Sequence, residues 1–99
     1  MIPAIEITRL ANAELDRTRA WYELQRPGLG HEFLDEVEHY VSAIQESPQR
    51  FPIYHNAVRR CILKRFPYQI FFDIRPAKIR LLRVVHTSQD PGPIRDLLP

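Results

Sequence analysis

Hydrophobic positions along this 99-residue chain change period midway. Over Ile5–Leu10 (IEITRL) apolar and polar residues alternate and β-branched side chains recur, which predicts a strand. Ala11–Gln25 (ANAELDRTRAWYELQ) is rich in helix formers. Ala11, Leu15 and Tyr22, with Thr18 between them, fall on one helical face, and Asn12 is the candidate N-cap. Arg26-Pro27-Gly28 stops that helix, because proline restricts the residue before it and glycine permits a turn. The clearest element follows over Gly28–Ser47. Leu29, Phe33, Val37, Tyr40 and Ile44 form a helical stripe with Leu34 and Val41 beside it, and Pro48 ends it. Two helices joined by so short a turn should pack as an antiparallel hairpin.

Residues 48–57 read as an irregular link anchored by Phe51 and Tyr54. From Val58 the period becomes two. Val58–Arg65 (VRRCILKR) and Tyr68–Ile74 (YQIFFDI) predict neighbouring antiparallel strands joined tightly across Phe66-Pro67. After a turn at Arg75-Pro76-Ala77, Lys78–His86 (KIRLLRVVH) predicts a strand long enough to sit centrally. Its alternation slips near Arg83-Val84, which marks a bulge. The proline-containing tail, TSQDPGPIRDLLP, reads as extended. The order β-α-α-β-β-β implies a single α+β domain over residues 1–99. Its antiparallel-rich sheet would carry a helical hairpin on one face and leave the other face open. Leu29, Phe33, Val37, Ile44, Leu63, Ile70 and Phe72 are the expected core between the two layers.

Charge complicates that picture. The formal net charge is only +2. Residues 1–49, however, set four arginines against nine acids, a balance of −5, and residues 50–99 set ten Lys/Arg against three acids, a balance of +7. The most hydrophobic segment, RRCILKRFPYQIFFDI, holds much of that positive charge. If Cys61 and Leu63 face the helices, Arg60, Ile62 and Lys64 face outward; the opposite register exposes Arg59 and Arg65. Either way a basic stripe on the open face is expected, joined by Arg80 or Arg83. Such a stripe suits an acidic partner. Alternatively, the acidic helices neutralise a basic sheet within one fold. Both explanations stand at this point.

Other chemistry is sparse. Cys61 and His86 could form a thiol–base pair, but Cys61 lies among Ile and Leu, which favours a core thiol. Glu36-x-x-His39 has the spacing of half a dimetal site, yet no second copy exists in the chain. His31, His39, His55 and His86 lack zinc-site spacing, and there is no phosphate-cradling glycine loop. No metal or cofactor is expected. The lone cysteine allows no intrachain disulfide, and no signal peptide or apolar run of about 18 residues is visible. A cytoplasmic, membrane-free location is the expectation.

Three stretches carry a resemblance: WYELQRPGLGHEFLDEVEHYVSAIQESPQRFP, RRCILKRFPYQIFFDI and IRLLRVVHTSQDP. Together they resemble the RelE/ParE superfamily of type II toxins over roughly Ile5 to Pro91. The resemblance implies a toxin bound by a cognate antitoxin, with two possible targets, or else a homologue that binds the antitoxin without being toxic. RelE-like members cleave mRNA on the ribosome. In that case Arg60, Lys64, Arg65 and Arg83 would supply charge to the transition state, and His86 would act as acid or base. ParE-like members poison DNA gyrase without a catalytic site. Thr87, Ser88, Gln89 and Asp90 stand where RNase members commonly carry a tyrosine. The second helix also has no basic side chain to dock on RNA. Both departures favour the gyrase branch, although His86 sits where some RNase members place a functional histidine.

Overall fold

A computed structural model describes residues 2–99. Strand β1 (Ala4–Ile7) leads into helix α1 (Arg9–Gln25), and α2 (Leu29–Glu46) follows. A 3₁₀ turn at Pro48–Arg50 precedes β2 (Ile53–His55), β3 (Val58–Ile62), β4 (Tyr68–Ile74), β5 (Lys78–His86) and α3 (Pro91–Asp96). The sheet order is β1-β5-β4-β3-β2, antiparallel except where β1 runs parallel to β5. This is the expected α+β arrangement. No helix among the described residues is long and apolar enough to cross a membrane.

Local boundaries differ from the pattern for identifiable reasons. The first strand stops at Ile7, because the side chain of Thr8, not Asn12, caps α1 by accepting from the Ala11 N–H at 3.2 Å. That cap draws Arg9 and Leu10 into the helix. Between the helices, Gly28 takes φ +89°, a left-handed conformation that costs glycine little. The Glu23 carboxylate of α1 accepts from the N–H groups of Gly28 (2.9 Å) and Gly30 (3.1 Å), so one helix caps the other. Gly30 is needed for closeness. A Cβ there would lie 2.6 Å from the Arg19 carbonyl oxygen.

The main core lies between the hairpin and the sheet. Ala11, Leu15 and Tyr22 from α1 and Phe33, Val37 and Ile44 from α2 meet Cys61, Leu63, Ile70, Phe72, Ile79, Leu81 and Val84. Leu29 contributes from a partly buried position. The register is thereby settled: Cys61 and Leu63 face the helices, and Ile62 and Lys64 are exposed. Burial pushes the Cys61 thiol up to about 12, with the Glu36 charge adding to the effect, which suits a core thiol and not a nucleophile.

The second face is less bare and less basic than the sequence pattern suggests. The tail is not extended. Asp90 caps a short α3 by accepting from the Gly92 N–H, and that helix buries Ile94 against Val58, Phe71, Leu82 and Val85. The irregular link likewise yields the edge strand β2, from which Tyr54 packs on Phe71 with ring centroids 4.6 Å apart. The bulge exists, and Leu82 is its extra residue: Phe71 pairs with Arg83 while Phe72 pairs with Leu81.

At the far end of the sheet Arg80 grips Asp73 with both ends of its fork, at 2.9 and 2.5 Å, and Arg75 adds a contact at 3.2 Å. Burial works to raise the Asp73 pKa, but the hydrogen bonds and charges of Arg80 and Arg75 more than offset it. The carboxyl is held below its usual range. Because the folded value is depressed, this stabilisation is complete above about pH 4 and is lost as pH falls through the folded pKa. Asp73→Asn should cost about 1–3 kcal/mol at neutral pH. Urea unfolding should show that gap narrowing on acidification; a gap undiminished near ~pH 2 contradicts the assignment.

Candidate functional site

Helix α1 ends the sheet's pairing and shapes the site. Strand β1 stops opposite Leu81, which would leave the outer edge of β5 unpaired beyond that point. Thr8 extends the edge by one step, its N–H donating to the Leu81 carbonyl and its hydroxyl to that of Leu82. Glu14 then completes it. Its carboxylate accepts from the Val84 N–H at 2.8 Å and from Arg83 Nε and Nη2 at 3.0 and 2.6 Å. Glu14 and Arg83 are both buried. Arg83 is therefore not part of an open basic face: the bulge hands it to Glu14, and the pair neutralises it inside the fold.

The other cations of the expected stripe are also distributed. Arg65 is paired with Glu32 of α2, and its guanidinium lies 5.0 Å from the Phe66 ring centroid. Arg59 donates to the carbonyls of Gln49 and Phe51. Arg60 is half-buried on β3, 5.1 Å from the Tyr54 ring centroid, and its Nε has no hydrogen-bond partner among the described residues. Lys64 is exposed on the β3–β4 turn and makes no ion pair among the described residues. Glu36 serves that same turn, accepting from the N–H groups of Arg65 (3.0 Å) and Phe66 (3.1 Å). Its spacing to His39 thus reflects a structural duty. Among the described residues no three His, Cys, Asp or Glu side chains are grouped to hold a metal ion.

His86 closes β5 opposite Tyr68, with ring centroids 5.2 Å apart. Its Nδ1 accepts from the Ser88 backbone N–H at 3.0 Å and lies 2.8 Å from the Ser88 hydroxyl. The five candidate side chains do not converge. His86 shares one end of the sheet with the turn carrying Lys64 and Arg65. Arg60 and Arg83 flank Phe71 from opposite sides, and Arg83 is committed to Glu14.

Sequence reasoning missed a groove beside His86. A cleft of about 470 Å³ lies between α1 and the strand ends, lined by Arg17, Thr18, Trp21, Tyr22, Pro67, Tyr68 and His86. A smaller polar hollow of about 160 Å³ continues it toward Glu14 and Gln89. The signal was present in Trp21, which falls off the buried Ala11–Leu15–Thr18–Tyr22 face yet is the largest apolar residue of its helix.

The class these elements define is an α+β fold in which a helical hairpin packs on a mostly antiparallel five-stranded sheet. A solved structure described as the chromosomal ParDE TA system from P. aeruginosa shares the fold at a TM-score of 0.76 and 22% identity. The match covers 86% of this chain and 96% of that one. No curated protein matches the sequence. The family model of the ParE toxin of the type II toxin–antitoxin system parDE matches residues 5–91, and the chain belongs to that family.

Proposed function

We propose that this type II toxin is neutralised by a cognate antitoxin and that its target is DNA gyrase. The observation that carries the choice of target is the dispersal of the RNase candidates. Cleavage by 2′-hydroxyl attack needs cations and an acid–base group around one phosphate. Here Arg83 is spent on Glu14, Arg65 on Glu32, and Arg60 stands away from His86. The antitoxin reading draws support from family membership and from the paired system to which the P. aeruginosa neighbour belongs.

His86 separates gyrase poisoning from mRNA cleavage. In the gyrase reading it is a strand-end residue tied to the Ser88 backbone, so His86→Gln should still inhibit supercoiling and no mRNA cleavage should occur in translating extracts. In the RNase reading the same substitution should lower a measurable cleavage rate by about 100-fold or more. Cleavage by the parent that disappears in a folded His86→Gln variant would overturn the gyrase assignment.

A further inference from the structure

Residues 47–72 contain no acidic side chain, yet they hold Arg50, Arg59, Arg60, Lys64 and Arg65. They build the 3₁₀ turn, β2, β3, the β3–β4 turn and most of β4. The whole β2–β3 border of the sheet is therefore free of acids. Toward the β1 border the cations are neutralised. There Lys78 pairs with Glu6, and Arg75 and Arg80 share Asp73. On the β2–β3 side only Arg65 reaches a carboxylate, that of Glu32, and Arg59 is turned onto two backbone carbonyls. Arg50, Arg60 and Lys64 make no ion pair among the described residues.

Arg60 is the best seated of the three. Its guanidinium lies over the Tyr54 ring, 5.1 Å from the centroid, and Tyr54 in turn packs on buried Phe71. Its Nε is buried without an acceptor among the described residues. Its backbone N–H donates to the Pro52 carbonyl at 3.0 Å, which brings the turn carrying Arg50 in beside it. Lys64 follows four residues later and is exposed. A guanidinium already stacked on a ring loses less freedom when it meets an oxyanion. One carboxylate would answer one cation. Three cations along an acid-free border suit a polymer that repeats its negative charge. Phosphate contacts of this kind come from arginine and lysine and fix a protein's position on a duplex. We infer that the β2–β3 border rests on the phosphate backbone of the duplex DNA that gyrase holds, through Arg50, Arg60 and Lys64. The inference rests on the gyrase reading above and adds DNA as a second surface of contact. It needs no convergence on one phosphate, so it agrees with the dispersal that argues against RNA cleavage.

The test measures binding of the full chain to gyrase alone and to gyrase on a linear duplex, over a range of potassium chloride. DNA should tighten binding at low salt. Three phosphate contacts should steepen the fall of log K with log salt by about 2.7, at about 0.9 per contact. Arg60→Gln and Lys64→Gln should each remove about 0.9 of that added slope and leave binding to DNA-free gyrase unchanged. Arg9→Gln removes the same charge near the β1 border and should leave the slope as it is. Lys64 is exposed, so Lys64→Gln carries the test even where Arg60→Gln unfolds the chain. A chain that neither binds gyrase nor inhibits supercoiling removes the gyrase reading and this inference with it. Gyrase binding with the same salt dependence in the presence and absence of DNA removes this inference alone. So do variants that weaken binding equally without DNA, which would assign the border to a protein surface. A preference of the chain by itself for single-stranded RNA over the duplex overturns it as well.

Discussion

Phe33→Ala should remove about 3–5 kcal/mol of unfolding free energy, a large part of what a domain of this size possesses. Phe33 is fully buried, and its ring meets three others: Tyr22 at 5.5 Å, Phe66 at 5.4 Å and Tyr68 at 5.5 Å between centroids. These come from α1, the β3–β4 turn and β4, so one side chain joins helix, turn and sheet. Truncation leaves a void that rigid aromatic neighbours close poorly. Urea or thermal unfolding measures the loss. A Phe33→Ala protein that melts like the parent would mean that the hairpin does not seat on the sheet as described.

The second large effect belongs to Glu14 and Arg83. Removing one member leaves the other charge buried without its partner, so Glu14→Ala or Arg83→Ala should each cost about 3–5 kcal/mol. Glu14→Ala also strands the Val84 N–H on the open edge of β5. Replacing both residues, as Glu14→Leu with Arg83→Met, should recover most of the loss, since no charge then remains to be desolvated. The residual deficit should be about 1–3 kcal/mol, the cost of the unsatisfied Val84 N–H. A double-mutant cycle by urea unfolding measures the coupling. Additive losses would show that the pair does not act as one unit.

Those two sites also show what the sequence could disclose. Phe33 was legible because α2 repeats its apolar residues over several turns, and periodicity is insensitive to distant partners. The β4–β5 pairing and its bulge were legible for a similar reason: a slip in alternation is itself a local signal. The fate of the charges was not. Glu14 and Arg83 lie 69 residues apart in sequence, and no local pattern records that one will neutralise the other. The stripe of RRCILKR read as a basic surface because strand alternation gives a direction but not a counter-ion. The acidic helices supply that counter-charge for Arg65 and Arg83, so the neutralising explanation accounts for those two cations of the stripe. The tail misled for a different reason. Its prolines suggested an extended chain, but Asp90 followed by Pro91 is also a cap and first turn, and Ile94 supplies an apolar anchor.

The pairing of β1 with β5 has a consequence for how the molecule comes into being. The two strands meet through pairs such as Ala4 with Lys78, 74 residues apart in sequence. The hairpin of α1 and α2 needs only its own local sequence and can gather as soon as residue 46 is free of the ribosome. Strand β1 has no neighbour until β5 has emerged, because its other edge is the border of the sheet. During synthesis the N-terminal strand therefore waits unpaired while most of the chain is made. The seam between β1 and β5 is then the last part of the sheet to close, after both helices and the three intervening strands have been made.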